Sequence, residues 1–288
     1  MSGLLVVRPG ALTTVQDGGR AGYAHLGVPR SGALDTAAYA LANRLLGNAP
    51  GAAALETTVD GVGLLALAAT TVAVTGAPCA VRVSGRPVAW GAPVRLPAGA
   101  ELEVGRAEWG LRSYVAVRGG LAVPPVLGSR STDLLSGLGP PALSAGMPLP
   151  VGPPGPDRLP AGNLCPLPGA PEELRLPLRP GPRADWFTEA SLVGLWRSVF
   201  RVSAASNRIG LRTEAGAPLA RAREGELPSE GMVLGAVQVP PDGLPVVFLA
   251  DHPVTGGYPV VGVVPVGPAL DAAAQARPGT PVRFIRAG

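Results

Sequence analysis

The chain has 288 residues, 24 Lys+Arg against 20 Asp+Glu for a net charge of +4, and 47% hydrophobic but only 4% aromatic residues. That length builds one large domain or two ordinary ones, around a core of Val, Leu and Ala. All 24 basic residues are arginine, which excludes a Walker P-loop, a Schiff-base lysine and a biotinyl-lysine on this chain, because each needs the lysine amine.

The start, MSGLLVVRPGALTT, lacks a basic leader and a long apolar stretch, so no signal peptide is expected. Leu4–Val7 reads as a short strand ended by Pro9-Gly10. Thr13 to Gln16 then lead into Asp17-Gly18-Gly19-Arg20, a turn of unusual φ closed by an arginine. Arg20 can grip a carboxylate or phosphate with two parallel bonds, or pair with Asp17 across its own turn. His25, among small and apolar neighbours, reads as a packed histidine. Ser31 or Asp35 caps a helix to about Leu46, with Leu34, Ala38, Leu41 and Leu45 on one face. The free amides at its start, beside Ser31 and Gly32, are a natural seat for an anion.

From Glu56 to Val117 the pattern turns to β. Val62–Leu67, Thr71–Val74, Cys79–Val83, Val88–Trp90, Glu101–Val104 and Ser113–Val117 are short and separated by Gly, Pro, Asp and Ser, as in antiparallel sandwiches and barrels. The longest apolar stretch, Val62 to Val74, is too short to span a bilayer, and a soluble, cytoplasmic protein is expected. Glu56 is a carboxylate in an apolar entry, better suited to pairing with an arginine than to joining a site. Cys79 and Cys165 lie far apart without a CxxC or a Cys/His cluster, so neither a disulfide scaffold nor a metal site is expected. Ser129 to Asp133 form a hydroxyl-rich loop around Arg130, able to hold an anion or simply to close a turn.

Between 139 and 182, fourteen prolines and seven glycines fill the chain, with Leu174–Leu178 as an edge strand at the far side. The expected organisation is a first β-barrel-like half over 1–150 with one helix, a Pro/Gly-rich covering segment or linker over 151–182, and a second half over 183–288, with elements exchanged between halves. Ala184–Trp196 reads as a second helix, Val199–Val202 as a strand, and Asn207-Arg208 as an amide and a guanidinium suited to a ligand carboxylate. Glu230 precedes the strand Leu234–Val239. The run VVFLADHPVTGGYPVVGVV, residues 246–264, sets a buried strand against Asp251, His252, Thr255, Gly256, Gly257 and Tyr258, then resumes as a strand. Asp251 can act as a base or orient His252, the glycines let a ligand approach the backbone, and Glu230 lies one hairpin away. The arginines are scattered singly rather than in a stripe, which argues against nucleic-acid binding.

Together Thr13 to Arg20, Ser31 to Asp35, Ala54-Leu55-Glu56, Ser129 to Asp133, Ser206 to Gly210 and Thr255 to Pro259 resemble the signature set of the 5-oxoprolinase C-subunit family. That family is also described as biotin-dependent carboxyltransferase-like or allophanate hydrolase subunit 2 related, and is similar to the carboxyltransferase region of urea carboxylase. The resemblance implies a mainly β fold of two cyclophilin-like antiparallel β-barrel domains with a few short helices. It also implies one partner resembling the B component of 5-oxoprolinase and another resembling its A component. The implied activity is ATP-dependent opening of the lactam 5-oxo-L-proline to L-glutamate, with ATP, and Mg where it is used, held by arginines, backbone amides and partner residues. Two alternatives stay open: a biotin-dependent carboxyltransferase component whose biotin rides on another chain, and a regulatory binding subunit that antagonises a kinase inhibitor. Where the family commonly has Asp-Arg-Gln-Thr-Thr-Gly-Gly-Tyr-Pro-Lys, this chain has Asp251-His252-Pro253-Val254-Thr255-Gly256-Gly257-Tyr258-Pro259-Val260.

On that reading Asp251 and Glu230 handle protons, with Tyr258 as a wall or donor. Arg20, Asn207 and Arg208 hold a carboxylate or lactam oxygen, and Asp17, Ser31, Gly32, His252, Thr255, Gly256 and Gly257 line the bound substrate or nucleotide.

Overall fold

The computed structural model describes residues 3–155, 159–160, 165 and 169–287. It divides into two compact units, one formed by 1–20, 31–133 and 137–170 and the other by 21–30, 134–136 and 171–288. The 151–182 segment thus changes unit at 170/171, and its residues 156–158, 161–164 and 166–168 lie outside the described residues.

The first unit follows from short β-rich runs broken by Gly and Pro. A six-stranded sheet has the order Pro148–Pro150, Gly3–Arg8, Gly63–Ala66, Glu101–Ala107, Cys79–Val83, Arg86–Val88. A five-stranded sheet has the order Leu12–Gln16, Ala54–Thr58, Arg112–Val117, Thr70–Gly76, Val94–Leu96. Leu4, Leu64, Leu102 and Val81 from the first and Val15, Leu55, Val72, Val115 and Leu96 from the second meet in one core. The two faces alternate in Cys79–Val83, whereas all six residues of Arg112–Val117 are buried. The second strand is covered on both sides because helix α1 (Thr36–Leu45) packs on its far face, where Tyr39, Ala42 and Leu45 meet Ala73, Tyr114 and Ala116. Asp35 caps α1, its carboxylate accepting from the Ala38 amide at 2.9 Å.

The second unit is a closed seven-stranded barrel, in the order Leu174–Pro180, Val260–Val263, Ala236–Gln238, Val246–Phe248, Gly210–Glu214, Phe200–Val202, Pro281–Arg286. Closure rests on one parallel pair: Leu174 to Leu178 run alongside Val282 to Arg286. The strand expected at an edge therefore lies within the barrel, bonded on its other side to Val260–Val263. Alternate residues fill the interior, including Leu174, Leu176, Leu178 and the edge-to-face pair Phe200–Phe284, whose centroids are 5.8 Å apart.

The second predicted helix resolves into a 3-10 turn, Ala184–Trp186, and helix α2 (Glu189–Arg197), capped by Thr188. Helix α3 (Pro268–Gln275) was not expected; its signals were proline at the first turn after Gly267 and the buried stripe Leu270, Ala273, Ala274. The mainly β expectation holds. Among the described residues no helix is long and apolar enough to cross a membrane. His25, expected to be packed, is exposed, because the 3-10 turn Ala24–Leu26 buries none of its residues.

Candidate functional site

In the first unit, the strand Leu12–Gln16 delivers Asp17 into a knot of hydroxyls and amides. The Asp17 carboxylate accepts from Ser129 Oγ and Ser131 Oγ at 2.6 Å each, from the Arg130 amide at 2.6 Å and from the Gly19 amide at 2.8 Å. Burial opposes its ionisation, but these bonds outweigh burial and hold the carboxyl below the ordinary aspartate value. Gln16 and Ser31 both donate to the Thr132 carbonyl, at 2.9 and 3.0 Å. Ser31 has φ 53°, rare for a residue with a side chain, and Gly32 has φ +100° where an added Cβ would lie 3.0 Å from the Gly19 amide. The Ser129 to Asp133 loop is thus the frame of this knot.

Arg20 does not pair with Asp17, whose acceptor positions are taken. Its side chain is 2% exposed, Nη2 donates to the Ser131 carbonyl, and Nε and Nη1 are buried without a hydrogen-bond partner. Gln16 Oε1 is likewise buried and unpartnered. A buried guanidinium with open donors is costly unless an anion completes it, so this is the strongest anion-binding feature of the unit. Glu56, by contrast, is structural: it lies 3.5 Å from Arg112 Nε and accepts from Tyr114 Oη at 2.8 Å and the Leu34 amide at 2.9 Å.

In the second unit, the strand Val246–Phe248 runs into Leu249, Ala250 and Asp251. Asp251 is 0% exposed and holds Arg208 through two bonds of 2.9 Å, with Arg208 itself 2% exposed. The Leu134 amide also donates to Asp251, at 3.3 Å. Asn207 is exposed and its Oδ1 accepts from the Ile209 and Gly210 amides, shaping the turn that sets Arg208. His252 stacks on Phe248, with centroids 5.8 Å apart and planes at 8°, and its Nδ1 lies 2.7 Å from the Pro253 carbonyl. Burial pulls His252 below the ordinary histidine value, against the raising effects of that carbonyl and of Asp251.

Thr255-Gly256 pairs with Glu230-Gly231 as a two-stranded ribbon, placing Glu230 opposite Gly256. Glu230 does not join Asp251; it forms an ion pair with Arg183, and this hydrogen bonding holds its carboxyl below the ordinary glutamate value. A Cβ at Gly256 would lie 2.7 Å from Gln238 Nε2, so a larger residue there would have to displace that side chain, which donates to the Tyr258 carbonyl at 3.0 Å. Gly257 is less crowded, Thr255 is exposed, and Tyr258 is 44% exposed.

The predicted residues therefore gather into two groups, one within each unit: Asp17, Arg20, Ser31 and Gly32 in the first, and Asn207, Arg208, Glu230, Asp251, His252 and Thr255 to Tyr258 in the second. Arg183 and Gln238 were not singled out from sequence, because each meets its partner only across the barrel framework. Ser129 and Ser131 had a signal, the hydroxyl-rich loop itself.

A two-sheet unit and a closed barrel, each presenting a glycine-rich polar turn, match a known domain type. The model of the carboxyltransferase domain, subdomain A and B, covers residues 26–286, and the chain belongs to this family. It is 38% identical to the C subunit of 5-oxoprolinase from Escherichia coli (strain K12) over 98% of this chain and 91% of that one. It is 33% identical to urea amidolyase of Lachancea kluyveri, over 97% of this chain and 17% of that one. Among solved structures, TTHA0988 superposes with TM-score 0.88 at 38% identity, covering 99% of this chain and 56% of that one. K. lactis urea amidolyase superposes with TM-score 0.90 at 30% identity, covering 99% of this chain and 19% of that one. The chain thus spans little more than half of the first structure and about a fifth of the second.

Proposed function

We propose that this chain is the C-type subunit of an ATP-dependent 5-oxoprolinase, opening 5-oxo-L-proline to L-glutamate together with B-type and A-type partners. The observation that carries this reading is the near end-to-end match to the C subunit of a 5-oxoprolinase, over 98% of this chain and 91% of the relative. The chemistry of the first unit suits it: Arg20, with the buried donors Nε and Nη1 unpartnered, offers a positive charge and open N–H groups for the carboxylate of 5-oxoproline. Asp17 keeps the Gly19 and Ser129 to Ser131 backbone in place around it. In the second unit Asp251 serves as the anchor of Arg208.

ATP is a co-substrate in this scheme, and the residues fit it only in part. No lysine is available to its phosphates, and among the described residues no group of three or more His, Cys, Asp or Glu is placed to hold a metal ion. In this reading the nucleotide and its Mg are held mainly by a partner chain.

The test is reconstitution with B-type and A-type partners, following ADP and glutamate formation from 5-oxoproline. Stoichiometric ADP and glutamate are expected only when all three chains are present. Bicarbonate-dependent, avidin-sensitive turnover in place of glutamate release would overturn the reading. That outcome is the second reading, a component transferring carboxyl groups from biotin carried elsewhere, favoured by the family description and the urea amidolyase relatives.

A further inference from the structure

Gln16 and Arg20 lie four positions apart in the first unit, at 0% and 2% exposure, and each is left part-satisfied in the opposite sense. Gln16 Nε2 donates to Thr14 Oγ1 at 3.0 Å and to the Thr132 carbonyl at 2.9 Å. A carbonyl oxygen only accepts, so the amide cannot be turned over, and Oε1 is the buried end without a partner. Arg20 hangs from the preceding carbonyl, that of Ser131, through Nη2, and Nε and Nη1 are its buried donors without a partner. The chain closes over the Nη2 side at Gly139, φ +89°, where a Cβ would lie 3.2 Å from Nη2 and 2.1 Å from the Ser131 carbonyl oxygen. Two side chains anchored on consecutive carbonyls thus end in one unpaired acceptor and two unpaired donors. They are complementary in sense yet do not satisfy one another. A group that completes them has to accept from the arginine and donate to the glutamine, and the buried guanidinium asks that it be an anion, since Asp17 is already held by four donors of its own.

We propose that Gln16 is the specificity-determining residue of this site: Oε1 accepts the N–H of a ligand whose carboxylate meets Arg20, so the site takes α-carboxylates whose α-nitrogen carries a hydrogen. The choice of 5-oxoproline as that ligand rests on the function proposed above. In 5-oxoproline the ring nitrogen and the carboxylate share one carbon, so both recognition elements reach the cluster from a single edge of the ligand, within one unit. A lactone of the same shape places a ring oxygen where the N–H stood. Its lone pair then faces Oε1, and the buried acceptor stays unpaired. Arg20 recognises a charge that the two molecules share; the difference between them belongs to Gln16.

The experiment is calorimetry on the full chain with 5-oxoproline and with the isosteric lactone 5-oxotetrahydrofuran-2-carboxylate. The wild type is expected to bind the lactam about 10–10²-fold more tightly than the lactone. Gln16→Met, which keeps the length of the side chain without its acceptor, should remove that preference. A glutamine that only held the Thr132 carbonyl in place would weaken both ligands alike and leave their ratio unchanged, so a Gln16→Met chain with the wild-type ratio overturns the proposal. A wild-type chain that binds the two ligands equally, or binds neither, also overturns it, and that comparison stands even where Gln16→Met does not fold. Glutamate formation by the reconstituted complex is read separately. Turnover without discrimination removes the role of Gln16 and leaves the proposed function standing, whereas discrimination without turnover removes the proposed function and leaves the binding site.

Discussion

At the scale of single residues, the two charges at the head of the chain behave in opposite ways. Asp17 is fully satisfied, with four donors on one carboxylate, whereas Arg20 is under-satisfied, with Nη2 bonded to Ser131 but Nε and Nη1 lacking an acceptor. Replacing Asp17 by Ala strands those donors and should cost about 3 kcal/mol, read as a lower urea midpoint. Because the folded carboxyl is held below its unfolded value, its stabilisation is fully present above about pH 3.9 and fades as pH falls through the folded value. The gap between wild type and Asp17→Ala should therefore narrow in acid. Arg20 follows the reverse logic, since a buried charge without a counter-ion opposes folding. Arg20→Met should raise the stability of the isolated chain by about 1 kcal/mol or more and should abolish its thermal stabilisation by 5-oxoproline. A destabilised variant that keeps the ligand response would remove Arg20 from the site.

At the scale of elements, the Arg208–Asp251 pair ties the turn before Gly210–Glu214 to the end of Val246–Phe248, two neighbouring strands of the barrel. Both partners are buried, so removing either leaves an uncompensated charge. Asp251→Asn and Arg208→Met should each lower stability by about 3–5 kcal/mol, and the Arg208→Met/Asp251→Leu double variant should recover much of it. Additive losses in a double-mutant cycle would show that the two side chains do not act as a pair. The sequence alone offered Asp251 as a base because it stands at the end of an apolar strand next to a histidine. Nothing in its surroundings announced Arg208 as its partner, since 43 residues and a strand separate them. Likewise Leu174–Leu178 has the composition of an edge strand, and its place in the closed barrel depends on a parallel partner at the far end of the chain.

At the scale of the whole molecule, the two units exchange segments: 21–30 and 134–136 belong to the barrel unit although the chain on either side of each does not. One of the crossings, at 170/171, falls in the proline-rich region. A fragment consisting of 171–288 alone lacks Leu134, whose amide donates to the buried Asp251. We expect it to melt without a sharp transition or well below the intact chain by circular dichroism. A fragment as stable as the parent would mean that the exchanged segments contribute little. The sequence by itself determined the mainly β character, the capped helix after Asp35, the glycine-rich turns and the exclusion of every lysine-dependent chemistry. Those features are written in local periodicity, turn residues and composition. Only the tertiary structure decided that Asp17 belongs to Ser129 and Ser131, Glu230 to Arg183 and Asp251 to Arg208, leaving Arg20 Nε and Nη1 open. Such pairings join residues tens of positions apart, and they are chosen by strand register and barrel closure, which no local pattern encodes.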